Sequence, residues 1–188
     1  MKKISRLLLL IIPIFFQLEL SSQTYSSIIS DKNINDFIEN EIKMKSSYPK
    51  RFYHLSKRIY CKPIHWGNAD WDMSYICSDT IKFEYKFLSI KDSLRKYFNE
   101  IDLGYFKEQY YKQIISNWTM KSKYVRFLKK PKIDYYEFTI PFFTKDLKTA
   151  IFYEYYYCGP VCAYSAIWIY NWDGNKWIRS KYLDGWIS

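Results

Sequence analysis

Aromatic and aliphatic residues dominate the last third of the chain, and three polar turn signals divide them into four runs. Asp bonds its own backbone in turns, Gly next to Pro interrupts regular structure, and Asp-Gly is typical of short hairpins. The turn signals lie at 144–148, 158–162 and 173–175. The runs between them are rich in Tyr, Trp, Phe and Ile, which favour strands. The pattern predicts strands at 134–140, 149–157, 164–171 and 176–183, with Pro141 ending the first.

The second of these runs is aromatic on both faces. Alternation places Ile151, Tyr153, Tyr155 and Tyr157 on one face, and Phe152 and Tyr156 on the other. One face can pack on a core, and the other needs a helix, a groove or a partner. We expect helices from the first half of the chain to cover it. The candidate ligand-contacting aromatic residues are Tyr153, Tyr155, Tyr157 and Trp168.

The first part of the chain mixes helical and strand patterns. Apolar spacing around Ile34, Phe37, Ile38, Glu41 and Ile42 predicts a helix at 33–45, capped by Asp31 or Asn33. Further helices are expected at 89–97 and 103–116, the latter capped by Asp102, and strands at 56–61, 81–87 and 118–127. Together these elements predict one α+β domain over residues 23–188, with N-terminal helices packed on a curved antiparallel sheet that ends in a four-strand meander.

Residues 1–22 have the pattern of a secretory signal peptide. A basic start is followed by a ten-residue apolar run, Leu7 to Phe16, and then by small residues near Ser22. The apolar run is too short to span a bilayer comfortably, and no later run approaches eighteen residues. We therefore expect a secreted or periplasmic protein without a transmembrane segment.

The remaining chain is basic and contains four cysteines. Removal of residues 1–22 takes away three basic residues and one acidic residue, so the net charge falls from +10 to +8. Such a charge is compatible with anionic envelope polymers or with lysines scattered for solubility, and export makes nucleic acid an improbable partner. An even number of cysteines in an exported chain indicates disulfides. Three connectivities are possible, and we prefer the neighbours Cys61–Cys77 and Cys158–Cys162.

A resemblance rests on the last third of the chain. The run from Ile140 to Ile151, followed by Tyr157-Cys-Gly-Pro-Val-Cys162 and Trp177, resembles a group of uncharacterised bacterial secreted proteins. These share Pro-x-Phe-Ser/Thr-x-Asp, then Tyr-Cys-Gly-x-x-Cys, then a terminal aromatic strand. Members often carry Gly after the second Cys, where this chain has Ala163. The resemblance implies no activity.

Residue patterns for catalysis are sparse. Cys158 and Cys162 are separated by three residues and flanked by strands, which disfavours thioredoxin-like redox chemistry. Cys61, His65 and Cys77 match no common zinc spacing, so we expect no metal and no cofactor. His65, or a carboxylate pair drawn from Glu84, Glu137 and Glu154, leaves an envelope-polymer hydrolase as an alternative. These glutamates equally suit solvated strand positions.

The surplus of aromatic residues favours binding over catalysis. The chain has 7 Trp, 20 Tyr and 13 Phe, which exceeds the needs of one small core. Aromatic residues serve cores first and interfaces second. The sequence therefore predicts a secreted or periplasmic non-enzymatic binding or structural module. It does not identify the ligand, for which a glycan and an envelope protein are the candidates.

Overall fold

The computed structural model describes residues 24–47, 58–60, 63, 94–114, 116–130 and 132–188. This part of the chain has two principal helices and seven strands. The helices are α1 (Asp31–Ser47) and α2 (Glu100–Tyr111). The strands are β1 (Arg58–Tyr60), β2 (Arg126–Leu128), β3 (Tyr135–Phe138), β4 (Phe142–Phe143), β5 (Thr149–Gly159), β6 (Cys162–Trp172) and β7 (Trp177–Ile187).

The seven strands form one sheet. Six of them follow the order β2-β1-β3-β5-β6-β7, and the short strand β4 pairs with Ala150 and Ile151 of β5, on the same edge of β5 as β3. Strands β3, β5, β6 and β7 are antiparallel neighbours, so the predicted α+β class and four-strand meander are confirmed. Strand β1 departs from the antiparallel prediction because it pairs parallel to both β2 and β3. The sheet is therefore mixed at its β2-β1 end.

Side chains in the turns close the meander as their chemistry predicts. Asp146 Oδ1 accepts hydrogen bonds from Lys148 N at 3.0 Å and from the Thr144 hydroxyl at 2.7 Å. Asp173 Oδ1 accepts from the backbone N–H groups of Asn175 and Lys176. Gly174 has φ 99°, a conformation that glycine adopts at low cost. The turn residues thereby set the register of long strands.

Helix α1 packs its apolar face on the sheet. The Ser30 hydroxyl accepts from Asn33 N at 3.2 Å and caps the helix. Neither predicted cap is used: the Asp31 carboxylate instead accepts from Thr24 N and Tyr25 N, which secures the preceding segment. The Phe37 ring lies 4.8–5.8 Å from four rings of the sheet layer, those of Phe143, Phe152, Tyr170 and Trp177.

Helix α2 starts three residues before its predicted position and ends five residues earlier. The cap is Asn99, whose side chain accepts from Asp102 N at 2.9 Å, and not Asp102 itself. Buried Gln109 bonds both backbone groups of Phe143, donating to its carbonyl at 2.6 Å and accepting from its N–H at 2.9 Å. The side-chain amide of Gln109 thus satisfies the backbone N–H and C=O groups of Phe143 in the short strand β4, and these two bonds hold α2 against the sheet.

The two helices cover opposite faces of the meander. Phe152 shares a buried cluster with the α1 residues Phe37 and Ile38, whereas Ile151 and Tyr153 share another with α2 residues such as Phe106. The expectation that helices cover the aromatic strand is confirmed, and it holds for both faces. The face toward α1 is here called face A, and the face toward α2 is called face B.

The predicted strand at 118–127 is wrong except for its last residues. Only Arg126–Leu128 is a strand, while the preceding segment packs without a ladder. Trp118 is buried against the Tyr25 ring at 5.2 Å, and Thr119 N donates to the Tyr25 hydroxyl at 2.5 Å. The Tyr25 side chain therefore accepts a backbone hydrogen bond that a neighbouring strand would accept in a sheet. The predicted strand at 81–87, the helix at 89–97 up to residue 93, and residues 1–22 lie outside the described residues.

Candidate functional site

The structure does not bring the four candidate aromatic residues together. Tyr153 is 3% exposed within the core beneath α2. Tyr155 and Tyr157 are half-buried, further along β5 on the same face B. Trp168 pairs directly with Phe152, so it lies on face A. Only Tyr155 and Tyr157 therefore remain as neighbours on a surface that a ligand could contact.

Other aromatic residues join these two across the sheet. Tyr135 on β3 stands opposite Tyr157, with ring centroids 5.7 Å apart. Trp186 on β7 approaches Tyr155, with ring centroids 6.1 Å apart. We call the four residues Tyr135, Tyr155, Tyr157 and Trp186, with Glu137 between them, the aromatic patch.

A small residue makes the approach of Tyr155 and Trp186 possible. Ser165 on β6 is paired to Tyr155 on one side and to Trp186 on the other. One strand, β6, lies between the two rings, yet their centroids are only 6.1 Å apart, and Ser165 is 4% exposed. The rings therefore lean over Ser165, where a larger side chain would keep them apart.

Glu137 lies on face B beside Tyr135 and directly opposite Tyr155. Burial raises the pKa of the Glu137 carboxyl, and a hydrogen bond with Tyr135 partly offsets this rise. Burial also raises the pKa of the Tyr135 hydroxyl, as do Glu137, Tyr155 and Tyr157 near it. The patch thus combines ring faces with a carboxylate and neighbouring phenol groups.

A second cluster lies on face A and was not predicted. Glu41 and Lys45 of α1, Glu154 of β5 and Arg179 of β7 form a closed circuit of alternating charges, here called the charge ring. Arg179 Nη2 contacts both carboxylates and lies 3.2 Å from Glu154 Oε1. Lys45 Nζ also contacts both, and lies 3.3 Å from Glu41 Oε1. Glu41 and Glu154 are at most 1% exposed.

Aromatic side chains enclose the charge ring. The Tyr170 hydroxyl donates to Glu41 Oε2 at 2.5 Å and accepts from Arg179 Nε at 2.9 Å. The Arg179 guanidinium lies 4.8 Å from the centroid of the Trp168 ring, and Lys45 Nζ lies 4.5 Å from that of Tyr136. Trp168, which the sequence offered as a ligand-contacting residue, therefore stacks on the Arg179 guanidinium of its own chain.

The electrostatics of the charge ring favour its ionised form. Burial by itself would raise the pKa of Glu41, but Lys45 and Arg179 outweigh it and lower that pKa. Burial likewise opposes the charge of Lys45, but Glu154 and Glu41 raise its pKa. Burial and the charge of Glu41 raise the pKa of Tyr170 well above its ordinary value. Two cations thus neutralise two carboxylates within a buried cluster.

Sequence reasoning left Glu154 either in a carboxylate pair or at a solvated strand position, and the solvated position is wrong because Glu154 is 1% exposed on the central strand β5. Two signals could have indicated the ring. Glu41 occupies the apolar stripe of the predicted helix, and Glu154 shares a face with Phe152 and Tyr156. An acid on an apolar face requires a buried partner, and Lys45 one turn beyond Glu41 was the nearest choice.

The predicted disulfide between Cys158 and Cys162 is present, with Cα atoms 5.0 Å apart. It spans the β5–β6 hairpin, whose last pair is Gly159 and Cys162. Cys61 and Cys77, His65 and Glu84 lie outside the described residues. Their predicted roles stay predictions.

Within the described ranges, no group of three or more His, Cys, Asp or Glu side chains could hold a metal ion. The helices of that same part of the chain are all too short or too polar to cross a membrane.

Comparison with known proteins gave no match: no family model, no curated protein and no solved structure is significantly similar to this chain.

Proposed function

We propose that this protein is an exported, non-catalytic module that binds a glycan through the aromatic patch. The observation that carries the proposal is the cluster of half-exposed rings on face B, next to a carboxylate and at the end of a rigid meander. Sugar rings present apolar C–H faces that pack on aromatic rings, and hydroxyl groups that bond carboxylates and phenols. The patch offers both kinds of group.

Rigidity of the patch supports binding at low entropic cost. Its residues come from β3, β5 and β7, and β5 is hydrogen-bonded along most of its length to β6. Tyr and Trp have few rotatable bonds, so little side-chain freedom is lost when a ligand contacts them. A sugar chain can be bound by a site of four rings. A stable protein interface buries about 800 Å² on each partner, which is a larger surface than four rings provide.

Export is part of the proposal and rests on two observations. Residues 1–22 have the composition of a signal peptide, and Cys158–Cys162 is oxidised, as is usual outside the cytosol. Intact-mass measurement on protein recovered after secretion tests this part. A mature chain beginning at Gln23 is expected, and a chain that retains Met1 would contradict it.

The hydrolase alternative has less support. Glu41 and Glu154 are a buried carboxylate pair, but each carboxylate contacts both Lys45 and Arg179. A glycosidase needs two carboxyl groups, one of them with a raised pKa as its general acid. The pKa of Glu41 is lowered, and Glu137, whose pKa is raised, is the one carboxyl group of the aromatic patch. The ring is thus better suited to holding α1 on the sheet.

A pair of tryptophan variants tests the proposed function. Trp186 in the patch and Trp172 at the far end of β6 are 39% and 40% exposed, so they lose similar surface on truncation. Trp172 lies on face A, because it pairs with Trp177 two positions beyond Tyr170. Binding to soluble glucosamine and N-acetylglucosamine tetramers is measured by isothermal titration calorimetry for the wild type, Trp186→Ala, Tyr157→Ala and Trp172→Ala.

Loss of one stacking ring is expected to weaken glycan binding about tenfold in Trp186→Ala and Tyr157→Ala, which corresponds to about 1.4 kcal/mol. Trp172→Ala is expected to bind as the wild type does. Equal losses in Trp186→Ala and Trp172→Ala would contradict the assignment of the site. Failure of the wild type to bind either tetramer would contradict the function.

A further inference from the structure

We infer that the glycan bound at the aromatic patch carries a free, protonated amino group, which is held by Glu137. This inference rests on the proposed function and names the class of ligand that the patch selects. An amino sugar in a polymer whose acetyl groups have been removed has this chemistry.

The groups of the patch are electron-rich. Aromatic rings present negative faces, and Glu137 adds a carboxylate that lies opposite Tyr155 and beside Tyr135. Glu137, Tyr155 and Tyr157 all act electrostatically on Tyr135 and raise its pKa. In its ionised form Glu137 gives the patch a negative charge, in a protein whose overall charge is positive.

Face A provides an example of cations bound between aromatic rings and carboxylates. There, cations of the chain itself lie over the rings: Arg179 over Trp168 and Lys45 over Tyr136. Each of these cations also contacts a carboxylate of the charge ring. Rings with an adjacent carboxylate thus accommodate a buried cation on face A. The patch on face B presents the same combination of rings and carboxylate at the surface.

An ammonium group fits this combination better than the alternatives. It is attracted to ring faces and to an ionised carboxylate at once. A uronic acid or a phosphorylated sugar would meet repulsion from Glu137, and an acetylated amine would offer no charge. The positive charge of the whole protein does not prevent this, because salt at physiological strength screens charges beyond about 8 Å.

The raised pKa of Glu137 agrees with the same geometry. Burial makes the isolated carboxylate costly, and a bound ammonium group would compensate for that cost. A bound ammonium group therefore favours the ionised form of Glu137, and the amine of glucosamine is mostly protonated at pH 6.

The test compares two tetramers that differ at the nitrogen alone. Glucosamine tetramer and N-acetylglucosamine tetramer are titrated at pH 6 into the wild type, Glu137→Gln and the control Glu108→Gln. Glu108 is an exposed acid on α2 and is not part of the aromatic patch. Glutamine keeps the size of Glu137 and lacks its charge, so Glu137→Gln is expected to fold, which circular dichroism checks.

The wild type is expected to bind the glucosamine tetramer at least tenfold more tightly than the acetylated one. Glu137→Gln is expected to lose this preference while its affinity for the acetylated tetramer stays unchanged, and Glu108→Gln to keep the preference. Equal affinity of the wild type for both tetramers would overturn the inference and leave the proposed function standing. A preference that survives in Glu137→Gln would also overturn it, and no binding at all would overturn both.

The pH dependence of binding by the wild type tests the same inference. The preference for the glucosamine tetramer is expected to decrease as the pH falls from 6 to 4 and Glu137 becomes protonated. A preference that stays constant over this range would contradict the role of Glu137.

Discussion

Arg179 on β7 reaches across β6 to Glu154 in the middle of β5, with Nη2 lying 3.2 Å from Oε1. The same nitrogen contacts Glu41 of α1, which is 138 residues away in the sequence. One guanidinium therefore joins a helix, a central strand and the last strand of the meander. Because both carboxylates are buried, loss of their cation leaves an uncompensated buried charge.

Truncation within the charge ring is expected to be strongly destabilising. Arg179→Met should lower the free energy of unfolding by about 3–5 kcal/mol, since Glu41 and Glu154 then share Lys45 alone. Urea unfolding of the oxidised protein measures this. Lys32→Ala, which breaks the exposed Lys32–Asp36 pair, serves as the control and should cost less than about 1 kcal/mol. A loss below about 1 kcal/mol in Arg179→Met would show that the ring does not stabilise the docking of α1.

The lowered pKa of Glu41 predicts acid sensitivity. A carboxyl whose folded-state pKa lies below its unfolded value stabilises the fold above the unfolded value, and this stability is lost as the pH falls through the folded-state pKa. The unfolded value is about 4.5, so the contribution should be complete near neutral pH and should decline below pH 4.5. Unfolding free energies of the wild type and Glu41→Gln, compared between pH 7 and pH 3, measure it. A stability difference between the two proteins that does not change with pH would contradict this assignment.

Two glycines should respond to alanine in opposite directions. A Cβ at Gly185 would lie 2.1 Å from the Ser165 carbonyl oxygen and 2.7 Å from the Tyr182 hydroxyl, so the backbone of β7 would have to move. A Cβ at Gly104 in α2 would meet nothing within 4 Å. Thermal unfolding should therefore show a clear loss in Gly185→Ala and a gain of about 0.5–1 kcal/mol in Gly104→Ala. Equal effects at the two positions would contradict the packing of β7 on β6.

The disulfides should differ in their contributions. Cys158–Cys162 closes a very short loop, so its replacement by two serines should cost about 2 kcal/mol or less on the chain-entropy model. The predicted Cys61–Cys77 pair would close a longer loop with fifteen residues inside it, worth about 3 kcal/mol. Melting temperatures of the two double serine variants test the order. A larger loss for the Cys158/Cys162 variant would mean that the hairpin end supports more of the fold than its loop length predicts.

The meander could be predicted because its turns are encoded locally. Asp146 and Asp173 bond backbone groups within three residues of themselves, so the sequence pattern and the structure describe the same contacts. The helix caps were harder, since Ser30 and Asn99 compete with nearby Asp residues that serve equally well in principle. Boundaries at helix ends therefore shifted by a few residues.

The charge ring could not be derived because its partners are distant in the sequence. Glu41 and Lys45 are one turn apart, but nothing local connects them with Glu154 or with Arg179. Strand alternation separated Tyr153, Tyr155 and Tyr157 from Phe152 correctly. The face of Trp168 depends on the register of β6 against β5, and Trp186 entered the patch through the register of β7. A one-residue change in register moves every side chain to the other face.

The central claim is that a glycan binds on face B, at the patch, and the amide NMR spectrum of the ¹⁵N-labelled protein tests it most directly. Titration with the glucosamine tetramer should shift the amide signals of Tyr135, Glu137, Tyr155 and Tyr157, together with the indole N–H signal of Trp186. The indole signals of Trp168 and Trp172 on face A should stay in place. Shifts confined to face A, or no shifts at saturating tetramer, would contradict the account.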